Sequence, residues 1–87
     1  MVRFTDRARE ILRRSHGAAR RLNPDATVRL WVDGSGTARF DLVPAAAEGD
    51  RVVEDEGFVL YVAPGVSGLV DVVEPHDRLI LRPPDAD

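Results

Sequence analysis

Cysteine is absent from the 87-residue sequence, which removes disulfides, thiolate metal ligands and thiol nucleophiles from consideration. Lysine is absent as well, and all twelve basic residues are arginine. Together with ten alanines, this reads as the coding bias of a GC-rich genome rather than selection for guanidinium chemistry. Aromatic residues are few: three Phe, Trp31 and Tyr61. No long hydrophobic run exists, the longest being the six residues Phe58 to Ala63, against about 18 to 20 for a membrane-spanning helix. The first residues, Met1-Val2-Arg3-Phe4-Thr5-Asp6, lack the apolar run of a secretory signal, so a cytoplasmic protein with no membrane partner is expected. A single domain of this length buries about 60 to 65 per cent of the surface its unfolded chain exposes.

Charge is unevenly distributed. Residues 1 to 21 hold seven arginines against Asp6 and Glu10, a balance of +5, and residues 22 to 87 hold five against thirteen acids, a balance of −8, giving the overall −3. Within the basic segment Ala8, Ile11, Leu12, Ser15, Ala18, Ala19 and Leu22 recur at helical spacing. The pattern predicts an amphipathic helix capped by Thr5 or Asp6, without a capping box because Ala8 and Arg9 stand three residues on. Asn23-Pro24 ends it. Gly17 either lies within this helix or ends a first helix at His16. Arg9, Arg13 and Arg20 flank one side of the apolar stripe, and Arg7, Arg14 and Arg21 the other.

After Asp25 the period shortens to two. Val28, Leu30 and Val32 alternate with Arg29, Trp31 and Asp33; Gly34-Ser35-Gly36 turns the chain; Ala38, Phe40 and Leu42 then alternate with Arg39 and Asp41, predicting a hairpin. A loop from Pro44 to Asp50 and a short strand at Val52-Val53 precede the Asp55-Glu56-Gly57 turn. Phe58 to Ala63 reads as the central strand, buried on both faces. A glycine-rich connection, a strand at Val70 to Val73, a turn at Glu74-Pro75-His76-Asp77 and a strand at Leu79 to Leu81 complete the chain, with Asp85-Ala86-Asp87 expected to be disordered. The expected fold class is α+β: one N-terminal amphipathic helix packed on a compact, mainly antiparallel β-structure of six or seven short strands, in one domain spanning residues 1–84.

The order Phe4-Thr5-Asp6 with its helix, the Val28 to Val32 strand, the glycine hairpin, Glu48-Gly49-Asp50 and Val70-Asp71-Val72-Val73-Glu74 resembles the HesB-like family of A-type iron–sulfur cluster carriers over about residues 2 to 84. The resemblance implies the family's fold and tendency to associate as dimers or larger oligomers. It also implies cluster ligands at a Cys-Ser-Gly hairpin and a Cys-Gly-Cys tail. Here Gly34 stands at the hairpin cysteine and the sequence ends at Asp87 where the tail would begin. Because iron–sulfur iron is held by thiolate, no cofactor or metal is expected.

The remaining candidates for chemistry each have a plain structural counterpart. His76 with Glu74 and Asp77 reads as a His–carboxylate metal site or as turn chemistry. Ser35 reads as a nucleophile or as part of a tight hairpin, and nothing adjacent supplies a base or an oxyanion hole. The arginine-lined helix reads as solvated or internally paired, or as a surface for an acidic protein, with nucleic acid a weaker fit. Trp31 is core if both sheet faces are covered and an interface anchor if not. The sequence therefore predicts a non-enzymatic binding or structural module acting through protein contact. Its expected contact residues are Trp31, Tyr61, Arg7, Arg13, Arg14, Arg20 and Arg21, and it is expected to form a homo-oligomer, most simply a dimer. The alternative is an iron–sulfur biogenesis accessory that binds iron without cysteines of its own, or with cysteines borrowed from a partner.

Overall fold

Thr5 begins the helix by accepting a hydrogen bond from the Ala8 amide at 3.1 Å, which satisfies one of the backbone donors left open at a helix start. The same residue fastens the helix to the sheet: its amide donates to the Val70 carbonyl and its hydroxyl to Asp71 Oδ1. Helix α1 (Asp6–Leu22) then runs unbroken through Gly17, so no first helix ends at His16. Asn23, extended ahead of Pro24, closes the helix by donating its amide to the Ala19 carbonyl.

The computed structural model describes residues 1–84, so the tail at 85–87 lies outside the described residues. Besides α1 it contains β1 (Val2–Phe4), β2 (Thr27–Val32), β3 (Ala38–Val43), β4 (Arg51–Asp55), β5 (Phe58–Val62), β6 (Gly68–Val73) and β7 (Arg78–Arg82). They form a four-stranded sheet in the order β3-β2-β5-β4 and a three-stranded sheet in the order β1-β6-β7. The fold is thus α+β with an N-terminal helix packed on sheets, as expected. The pairings β2–β3, β4–β5 and β6–β7 are antiparallel hairpins, whereas β1–β6 and β2–β5 are parallel. The two parallel pairings join segments distant in sequence, where turn chemistry gives no signal.

The helix and the two sheets enclose one core, in which Leu12, Leu30, Leu60, Val62 and Val70 are fully buried. Each such side chain contributes roughly 1.5 to 3 kcal/mol on leaving water. Phe4 meets Phe58 edge to face, with ring centroids 5.4 Å apart, joining β1 to β5. Strand β5 is central, but only one of its faces is fully buried. Phe58, Leu60 and Val62 point into the core, while Val59 and Tyr61 are half-buried on the other face.

Candidate functional site

The predicted helix stripe is longer than the core that receives it. Ala8, Leu12 and Ala19 are buried, but Ser15 and Ala18 are exposed and Leu22 is 91% exposed. Facing them, Phe40 and Leu42 alternate onto the helix side of edge strand β3, where Leu42 remains 59% exposed. Between these two surfaces lies an apolar groove of 360 Å³ lined chiefly by Leu12, Ala18, Leu22, Phe40, Leu42 and Leu79. A second hollow continues past Leu22 and Leu42 to Val43 and Pro44. The apolar i, i+3, i+4 positions were legible in the sequence. Their incomplete coverage was not, because it depends on where β3 ends relative to the helix.

Trp31 and Tyr61 occupy the opposite face of the four-stranded sheet, and both are half-buried. The Trp31 indole N–H donates to Asp41 Oδ2 at 2.7 Å on the neighbouring strand, and Tyr61 stands beside Arg29 in the parallel register. That face is partly roofed by residues 44–50. Arg29 donates from Nε and Nη2 to Asp50 at 2.8 and 3.0 Å, and the Asp50 side chain is closed to solvent. Asp50 also accepts from the Ala47 amide. Its pKa lies below the ordinary carboxylate value chiefly because of the Arg29 hydrogen bonds. This pair was not singled out from sequence, since the two residues are 21 apart and belong to a strand and a loop.

Most of the helix arginines are engaged within the chain. Arg7 reaches Asp77 at 2.6 Å and Glu74 at 3.2 Å. Arg13 donates to the Glu56 carbonyl and Arg14 to Glu10, while Arg20 bonds the Ala26 carbonyl and the Thr27 hydroxyl. Arg21 is exposed and makes no hydrogen bond or ion pair among the described residues. Internal pairing therefore occupies Arg7, Arg13, Arg14 and Arg20, and these arginines do not converge with Trp31 and Tyr61 on one surface.

Both chemical candidates, His76 and Ser35, lie in turns. Glu74 and Asp77 both turn to the Arg7 guanidinium, and His76 is exposed. Among the described residues no group of three or more His, Asp or Glu side chains is placed to hold a metal ion. The Ser35 hydroxyl donates to Asp33 Oδ1 at 2.6 Å. Asp33 additionally accepts from the Ser35 and Thr37 amides and from Arg39 Nε. This set, led by the Ser35 hydroxyl and Arg39, holds the Asp33 carboxyl far below its usual range. The hairpin is thus closed by its own polar groups, with Gly36 at φ 84° completing the turn. Gly34 offers no donor and the Ser35 hydroxyl is committed to Asp33, so these residues do not fit an iron–sulfur ligand set.

Comparison with protein-family models and with curated proteins finds no match to this chain.

Proposed function

We propose that the protein is a non-enzymatic binding module on a HesB-like scaffold that acts through protein contact, with the groove between α1 and β3 as its contact surface. The observation that carries this reading is the pairing of Leu22 and Leu42, 91% and 59% exposed, across one continuous apolar groove. Large exposed apolar groups gathered on one surface favour association, whereas singly scattered ones are ordinary. The scaffold reading is supported by the order of elements: a short opening strand, a Thr-capped helix and a strand pair closed by the glycine turn.

Site-specific photo-crosslinking tests the reading. A photoreactive residue replacing Leu42 should yield a covalent protein adduct in the producing cell, and one replacing Glu48, in the roofing loop, should not. No adduct at position 42, or equal adducts at both positions, would overturn the assignment of the groove.

A further inference from the structure

Residues 77–79, at the start of β7, face residues 37–41 of β3, and β2 pairs along the other side of that strand. The groove between α1 and β3 therefore gives an extended peptide no ladder to join. Its walls are hydrocarbon, from Leu12, Ala18, Leu22, Phe40, Leu42 and Leu79, so the peptide groups of an extended chain lying there would lose water without gaining partners. A helix bonds its own peptide groups and brings only side chains to such a surface. Length agrees with this. Leu12 and Leu22 stand ten residues apart on α1, about 15 Å, and helix anchors at i, i+3 or i+4 and i+7 span about 10 Å.

We infer that the groove takes an acidic amphipathic helix of a different protein, whose apolar face fills the groove and whose carboxylates meet Arg21 and Arg78. The inference rests on the protein-contact reading and names its partner. Two hollows open off the groove. One, past Ser15 and Ala18, is lined by Arg13, Arg14 and Arg21; the other, past Phe40 and Leu79, by Arg39 and Arg78. Arg21 and Arg78 are exposed and make no hydrogen bond or ion pair among the described residues, and Arg39 spends only Nε, on Asp33. The acids bordering the same hollows are engaged. Asp77 holds Arg7, and Asp41 turns to the opposite sheet face, where it accepts from the Trp31 N–H. The unanswered charge around the groove is thus positive, and a partner complementary to it carries carboxylates.

Two other occupants fit less well. A second copy of this chain does not supply such a helix, since α1, the one helix among the described residues, carries six arginines against Asp6 and Glu10. An anionic bilayer would meet the same arginines, but it is flat, and the apolar lining lies in a concavity between α1 and β3. The balance of −8 over residues 22 to 87 also opposes a negative surface.

The test is a displayed library of random peptides, each about four helical turns long, selected on the native chain and counter-selected on Leu42→Asp. Enriched peptides should carry apolar residues at i, i+3 or i+4 and i+7 with Asp or Glu predominating between them, and should become helical by circular dichroism on binding. Arg21→Glu and Arg78→Glu should each weaken the best peptide about threefold or more, and the loss should shrink at high salt. Neither arginine bonds within the chain, and circular dichroism checks that both variants are folded. Leu22→Asp, at a position 91% exposed, replaces Leu42→Asp if that variant does not fold. Enriched peptides that are basic, that lack helical periodicity, or that bind both arginine reversals as well as the native chain would overturn the inference. So would binding to phosphatidylserine vesicles that the same reversals abolish, which would assign the groove to a membrane. No enrichment at all, with position 42 still crosslinking a protein in the cell, would overturn the acidic helix and leave the protein-contact reading intact; no enrichment and no crosslink would overturn both.

Discussion

Arg29 and Asp50 form a two-point ion pair between the second strand and the loop that roofs it, at 2.8 and 3.0 Å, with the carboxylate shut away from water. Removing one partner of such a pair leaves the other charge enclosed and unanswered. Asp50→Ala is therefore expected to lower the thermal midpoint markedly and to release the loop at 44–50, with the Ala47 amide losing its acceptor as well. Asp25→Ala, at an exposed turn, serves as the control and should change little. Equal midpoints for the two variants would show that the pair does not hold the loop.

Stability should fall on the acid side in two stages. His16 is held below its ordinary value of 6.5 by burial and, secondarily, by Arg20, and its Nδ1 is buried without a hydrogen-bond partner. The unfolded chain then binds a proton that the folded one refuses, so stability declines as pH drops below about 6.5 and this loss levels off below the folded value. Asp50 and Asp71 are depressed mainly by hydrogen bonds from Arg29 and Arg82 respectively. Their contribution is complete above about pH 5 and is lost as pH falls from about 4 through their lower folded values. Denaturant titrations across pH should show both stages, and His16→Gln should abolish the first. A first stage that survives in His16→Gln would assign it elsewhere.

Two glycines should respond in opposite directions to alanine. A Cβ on Gly17 would meet nothing, so Gly17→Ala should stabilise the helix by about 0.5 to 1 kcal/mol. Gly68, at φ 139°, lies where a Cβ would collide with the Arg82 carbonyl and the Leu81 side chain. Gly68→Ala should therefore disrupt the start of β6 and cost more than the helix substitution gains. Chemical denaturation gives both signs directly, and a neutral Gly68→Ala would contradict the close packing of β6 on β7.

Anaerobic incubation of the purified chain with iron and sulfide should leave it without the visible absorption of an iron–sulfur centre, because it supplies no thiolate. A brown, stoichiometric product stable to chromatography would overturn this expectation and restore the accessory role in cluster biogenesis.

Much of the architecture was legible because it is written in local periodicity. The helix at 6–22, the hairpin about Gly34 and Gly36 and the later strands each follow from spacing and turn residues. The site was legible only in pieces. Leu22 and Leu42 stand in the sequence as ordinary members of apolar stripes, and only the tertiary arrangement leaves both uncovered. Long-range polar partners were invisible for the same reason. Nothing near Arg7 announces Asp77, and nothing near Arg29 announces Asp50. Trp31, which drew notice as the only tryptophan, is half-buried with its N–H bonded to Asp41.

The parallel pairing of β1 with β6 has a consequence for biosynthesis. Val2, Arg3 and Phe4 find their ladder partners only at Gly68, Leu69 and Val70, and the Thr5 cap leans on Val70 and Asp71. On the ribosome, the first strand and the helix start must therefore wait, unpaired, until almost all of this domain has emerged. A chain truncated before residue 68 therefore cannot form the β1–β6 ladder, however well its own hairpins form.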